Sequence, residues 1–352
     1  LKAKIILPII VILFLSLISL ASASQVFADG LTSTTTTVAS APDPSTFGQT
    51  KNFTANVSPT PTTGDTVTFY DQFGIVGTGT TNSTGYATAT NSTLPVGSHS
   101  VTAVFAGDSG FATSTSSIDN QTVNAITTTT SVASSPDPTT IGDSKLITAT
   151  ITGGVPDGIT VTFFNNGTSL GTNSTMSGIA LFRLSTLPVH TDQITATFAG
   201  NTNYTTSTSS NDTQTVNLIS TTTTVASAPD PTTIGQNKTI TATVTGGVPD
   251  GDTVTFYNNG TSIGTNSTVS GIALLTLSTL PVHSDQITAT FAGDTNYAPS
   301  TSSIDPQTVN LISTTTTVAS APDPTTIGQN KTITATVTGG VPDGDTVTFY
   351  NN

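Results

Sequence analysis

The tripeptide Pro-Asp-Pro begins at Pro42, Pro136, Pro229 and Pro322, so the chain repeats itself in steps of 94, 93 and 93 residues. Lys51, Lys145, Lys238 and Lys331 keep the same step, and Asn124, Asn217 and Asn310 close the first three units. The forty residues from Ser220 to Asn259 are identical to those from Ser313 to Asn352. Repetition at this period points to an array of small units, each a structural module in its own right. Three complete units are followed by the first part of a fourth. The stop at Asn352, inside a stretch that copies an earlier one, reads as an interruption of a longer gene product, since half a sheet would leave unpaired edges.

Composition narrows what each unit can be. Thr supplies 82 of 352 residues, all twenty acids are Asp, and Lys and Arg together number seven. Branched Thr favours the extended chain, and with the charged helix formers nearly missing a helical protein is excluded. A net charge of −13 and a pI near 4.1 exclude a nucleic-acid binder, which needs clustered Lys and Arg against phosphate. The absence of Cys removes disulfide frameworks and thiolate metal sites. A hydrophobic content of 34% still suffices for cores.

The third unit shows the pattern best. Thr221 to Ala226 reads as a strand ended by Pro229 and Pro231, which cannot donate to a ladder. Lys238 to Thr245 alternates strictly, with Ile240, Ala242 and Val244 on one face. Thr253 to Tyr257 continues through Val254 and Phe256, and Asn259-Gly260 then signals a two-residue type I′ hairpin into Thr261 to Thr265. Gly271 to Leu277 places Ala273, Leu275 and Leu277 on one parity; Gln286 to Phe291 does the same with Ile287, Ala289 and Phe291. Thr301 to Asn310 closes the unit and is expected to break at Pro306. About seven short alternating strands with frequent turn signals predict an all-β, two-sheet antiparallel sandwich.

Ahead of the repeats, Lys2 and Lys4 precede an apolar run from Ile5 to about Ala21, and Ala21-Ser22-Ala23 supplies small residues for cleavage. This order is that of a secretory signal peptide over residues 1–29. An uncleaved anchor is the alternative, the run being near the lower limit for a bilayer span. Either way the repeats are expected to be secreted or at the cell surface.

Several segments together carry a resemblance. Thr-Val-Thr-Phe-Tyr-Asn-Asn-Gly from Thr253, Gly-Ile-Ala-Leu from Gly271, Ser-Thr-Leu-Pro-Val from Ser278, and Ile-Thr-Ala-Thr-Phe-Ala-Gly-Asp-Thr-Asn-Tyr from Ile287 follow one another in order. The whole resembles the bacterial Ig-like repeat domains of prokaryotic surface proteins. The resemblance implies tandem immunoglobulin-like sandwiches: repeat 1 over residues 30–125, repeat 2 over 126–218, repeat 3 over 219–311, and a truncated repeat 4 over 312–352. It also implies an extracellular stalk or adhesive array with no shared catalytic site.

The candidate chemistry is sparse. His99, His190 and His283 fall one to a unit in the loop before the penultimate strand, read as solvated, and are too far apart to share a metal. No Gly-x-Ser-x-Gly elbow or His-paired nucleophile is visible, so no catalytic residue and no cofactor is assigned. Calcium is the one metal considered, with Asp230, Asp250 and Asp294 as weak candidate ligands, although Asp beside Pro or Gly is ordinary turn chemistry. The lysine opening the second strand shares the parity of the buried Ile or Phe two residues later and reads as a snorkelling side chain. A cross-link from it to Asn124, Asn217 or Asn310 is the rarer alternative. Thirteen Asn-x-Ser/Thr triplets occur, and Asn52, Asn91, Asn166, Asn173, Asn237, Asn259 and Asn266 are candidate glycosylation acceptors.

The expected role is non-enzymatic: a spacer presenting or linking other domains of the same longer chain. Gln307 to Ile312 runs into Ser313 with no Gly/Ser-rich linker, which favours a stiff rod on the order of 100 Å for three units. The alternatives are an adhesin binding a glycan or a host or neighbour-cell protein through its loops, and accessory repeats of a larger extracellular enzyme or surface-layer protein. A diverged loop bearing exposed aromatics would favour adhesion.

Overall fold

The computed structural model describes residues 30–351, so the signal-peptide segment lies outside the described residues. In the first unit, β1 (Thr35–Ala41), β2 (Ser45–Thr46), β3 (Lys51–Ser58), β4 (Thr66–Asp71), β5 (Gly74–Thr80), β6 (Tyr86–Asn91), β7 (Gly97–Phe105), β8 (Ser114–Thr115) and β9 (Asp119–Asn124) follow in order. The second unit repeats them as β10 (Thr129–Ser135), β11 (Thr139–Thr140), β12 (Lys145–Thr152), β13 (Thr160–Asn165), β14 (Thr168–Ser174), β15 (Ile179–Leu184), β16 (Thr191–Phe198), β17 (Ser207–Thr208) and β18 (Asp212–Asn217). The third has β19 (Thr222–Ala228), β20 (Thr232–Thr233), β21 (Lys238–Thr245), β22 (Thr253–Asn258), β23 (Thr261–Ser267), β24 (Ile272–Leu277), β25 (Ser284–Phe291), β26 (Ser300–Thr301) and β27 (Asp305–Asn310). The fourth copy holds β28 (Thr315–Ala321) and β29 (Thr332–Thr338).

Each complete unit is a sandwich of two sheets. One has three strands, ordered β1-β3-β6, β10-β12-β15 or β19-β21-β24. The other has six, with β2-β9-β7-β4-β5 as its path and β8 beside β7, and the same arrangement recurs twice. Seven substantial strands are joined by two two-residue pieces. One of these, β2, pairs in parallel with β9. Pro-Asp-Pro is the crossing point: β1 belongs to one sheet and β2, just beyond Pro44, to the other.

Alternation then fills the space between the sheets. Ile240, Ala242 and Val244 point inward from β21 and meet Val254, Phe256, Ile287, Ala289 and Phe291 from the facing sheet. The first two units build separate clusters around Phe53, Phe69 and Phe105 and around Phe163 and Phe198. Asn259 and Gly260 have φ of 47° and 77°, the doubly positive turn that the dipeptide predicts. The closing strand does not break at Pro306, which sits inside β27 opposite Gln286. On its other side β20 pairs only with Val309 and Asn310, so Pro306 lies at an edge, where a missing donor is tolerated.

Candidate functional site

At one end of every sandwich the sequence places polar groups in the core. Lys51, Lys145 and Lys238 open the second strand of the three-stranded sheet and are at most 1% exposed. They do not snorkel. Inward parity and the covering sheet hold the whole side chain inside, and this burial lowers each ammonium from its ordinary value of 10.5. Gln121, Gln214 and Gln307 are also fully buried, on the last strand.

The fourth and seventh strands of each unit contribute a coupled pair. In the second unit Asn165 Nδ2 donates to Asp192 Oδ1 at 2.6 Å, and in the third Asn258 Nδ2 donates to Asp285 Oδ1 at 2.6 Å. The first unit reverses the roles. Asp71 ends β4, and its Oδ2 lies 2.8 Å from Nδ1 of His99 on β7. His99 is buried, with Nε2 2.9 Å from the Pro95 carbonyl, which corrects its reading as a solvated loop residue. The reason is register: His99 follows Leu94 by five residues, as Asp192 follows Leu187, so it takes the place of the buried Asp. His190 and His283 come two residues earlier in their units. They are half exposed, and each caps its Asp through Nδ1 at 3.2 and 3.1 Å.

The three calcium candidates are each held in a separate turn. Asp230 Oδ1 accepts from Gln307 Nε2 and from the Thr308 backbone amide, tying the Pro-Asp-Pro crossing to the last strand. Asp250 Oδ1 accepts from the Ser270 amide, and Asp294 Oδ1 from the amides of Asn296 and Tyr297. Asp294 instead faces Asp252. Burial first, and then the Asp294 charge, raise the Asp252 carboxyl above 3.8. In the first unit Asp65 is raised similarly, by burial and then by Asp108.

The candidate glycosylation acceptors divide into two groups. Asn91, Asn173 and Asn266 spend Nδ2 on the carbonyls of Val76, Leu181 and Leu274. Asn166 Nδ2 leans toward Asp192 Oδ1 at 3.4 Å. Asn52, Asn237 and Asn259 are exposed, Asn52 on β3 and the other two in loops.

Sequence reasoning singled out the lysines but missed the Asn–Asp pair and the buried Gln. The available signal was that Asn258, Asp285 and Gln307 continue the inward parity of Phe256, Ile287 and Val309 beyond the last apolar residue.

A family model for the bacterial Ig-like domain (group 3) matches residues 31–124, 131–217 and 224–310. No functionally curated protein matches the chain. Among solved structures, the fibronectin(III)-like modules of Clostridium thermocellum CbhA share 20% identity over 52% of this chain and 94% of theirs, with a TM-score of 0.24. A structure addressing host cell surface retention of a 1.5-MDa bacterial ice-binding adhesin shares 18% over 80% and 99%, with a TM-score of 0.29. The Yersinia pseudotuberculosis adhesin InvE shares 14% over 52% and 59%, with a TM-score of 0.28.

Proposed function

The chain belongs to the bacterial Ig-like domain family, group 3, in three tandem copies, and from that premise we propose a mechanical role. It is an extracellular spacer that holds other domains of the same longer chain away from a cell surface. The joints carry this reading. β9 ends at Asn124, and Ile126 already bridges to Tyr204 of the following unit, so Ala125 is the one residue between them. Leu218 stands in the same way between Asn217 and Ile219, which bridges to Tyr297. With a single residue at each joint and a separate core in each unit, hinge motion is restricted while every unit keeps its own stability.

The spacer role needs no catalysis and no cofactor, and exposed Asn52, Asn237 and Asn259 would accept glycans without disturbing the sheets. Small-angle scattering on the repeats tests the rod. Deleting one unit should shorten the maximum dimension by about 30 Å, since a nine-residue strand such as β7 rises about 3.3 Å per residue. An unchanged dimension would mean a collapsed cluster and would end the proposal. Surface display is checked separately, by removing the chain from unlysed cells with added protease.

One observation favours adhesion as a second reading. A groove of about 380 Å³ beside β14 and β15 is lined by Met176, Ile179 and Leu181, all exposed, and Val269, Ile272 and Leu274 repeat the exposed aliphatic set in the third unit. Binding of glycans or of cell-surface proteins that is lost on Leu181→Ser and Leu274→Ser would support it.

A further inference from the structure

Each complete unit contains a lysine whose surroundings leave it unaccounted for. Lys51, Lys145 and Lys238 are buried, and none makes a salt bridge; the one Lys–Asp pair among the described residues belongs to Lys331. Nζ of Lys51 and of Lys238 has no hydrogen-bond partner, and Lys145 Nζ reaches only the Asp143 carbonyl, at 3.1 Å. Asn165 Oδ1, Asp192 Oδ2, Asn258 Oδ1 and Asp285 Oδ2 are buried without partners as well. A buried donor and buried acceptors left unpaired at the same end of one core are costly, and such a cluster calls for an explanation.

The topology brings these groups together. Lys238 begins β21, Asn258 ends the antiparallel run of β22, and Asp285 lies near the start of β25, beside Asn258 and opposite Gln307. The charges of Asp230, Asp285 and Asp305 act on Lys238, and those of Asp143 and Asp192 on Lys145. The second and third units share one chemical pattern. The second sheet-forming strand brings an amine, the end of β13 or β22 a side-chain carbonyl, Asn165 or Asn258, and the strand paired with it a proton carrier, Asp192 or Asp285.

We propose that two of these lysines each form an intramolecular amide with that carbonyl: Lys145 with Asn165, and Lys238 with Asn258. Burial favours the neutral amine, which carries the nucleophilic lone pair. Lys238 Nζ attacks Cγ of Asn258. The proton it sheds passes through the Asp285 carboxylate to the departing nitrogen, the Cγ–Nδ2 bond breaks, and ammonia leaves. Each condensation is redox-neutral and needs no further reactant. The fixed strands hold the amine and carbonyl in place, and the dry core opposes hydrolysis. Asn124, Asn217 and Asn310, the other asparagines recurring at unit ends, are exposed at the last residues of β9, β18 and β27 and take no part.

The test is mass spectrometry of the full chain, denatured and digested with trypsin. Lys331 is an internal control, because Gly328 to Ile333 repeats Gly235 to Ile240 while Lys331 is partly exposed and pairs with Asp323 at 3.3 Å. Cleavage should occur after Lys331 and fail after Lys238. The fragment spanning residues 184–331 should then be lighter than its sequence by one ammonia, and the intact chain lighter by two. Lys238→Arg should restore both the cut and the mass. Asp285→Asn should restore the mass while leaving both linking groups in place. Cleavage after Lys238 with an unaltered mass overturns the proposal, and loss of water in place of ammonia overturns the assignment to Asn258.

Discussion

Ser220–Asn259 and Ser313–Asn352 are the same forty residues in two settings. In the third unit they form β19 to β22, with Ile240 and Phe256 fully buried. In the fourth copy only the hairpin of β28 and β29 forms, in the same register as β19 with β21. Ile333 and Phe349, the equivalents, are about half exposed at 52% and 50%, and Thr346 to Phe349 form no strand. Strand alternation and a short connection are therefore enough for the first hairpin. The next strand forms where β23 and β25 flank it, so it depends on the other half of the unit. Lysine burial follows the same division: Lys238 is enclosed, whereas Lys331 turns outward to Asp323.

The largest effect should come from removing the difference. With a copy of residues 260–310 following Asn352, the fourth copy has the partner strands that flank β22 in the third unit, and calorimetry should then record one additional cooperative transition, worth about 5–15 kcal/mol as for other small domains. Hydrogen exchange should show Phe349 entering a protected strand. No new transition would mean that the forty residues differ between the two copies for some reason other than missing partners.

Next in size is the core itself. Phe256→Ala should cost the third unit about 3–5 kcal/mol, the usual range for emptying a phenyl site. Phe349→Ala, at the identical position of the fourth copy, should change stability by less than about 0.5 kcal/mol. Denaturant titration of both variants reads the contrast, and equal losses would abolish it. Native-state proteolysis gives a smaller one. In the chain carrying Lys238→Arg, trypsin should cut the folded protein after Lys331 at least about 100-fold faster than after position 238, because the latter cut requires opening of the unit.

These contrasts also mark what the sequence discloses. The strands, the Asn259-Gly260 turn and the inward parity of Ile240, Phe256 and Phe291 are local signals that the folded unit obeys. The buried polar cluster is not local. Whether a lysine on an inward parity snorkels or is enclosed depends on the sheet laid over it, and Lys238 and Lys331 share their neighbours in sequence but not in space. His99 escaped for a different reason: its unit moves the histidine onto the strand, which becomes plain only when positions are counted from Leu94 and Leu187. Pro306 reads as a breaker from sequence because sequence does not say which side of a strand lacks a partner.

The subtlest contrast is electrostatic. Asp252 and its equivalent Asp345 differ in that Asp252 faces Asp294, which lies beyond the forty shared residues. Burial, and then repulsion by Asp294, raise the Asp252 carboxyl above 3.8, so between the unfolded and folded values the folded unit binds the extra proton. That contribution is fully present below 3.8 and is lost as pH rises through the folded value. Asp252→Asn fixes the neutral form at every pH. It should therefore stabilise the third unit at neutral pH by no more than about 1 kcal/mol, the range for partly solvated charges, and by nothing measurable below 3.8. Asp345→Asn should be silent at both. Thermal melts of the two variants across this range decide the point: a gain from Asp252→Asn that persists in acid cannot arise from the carboxyl pair.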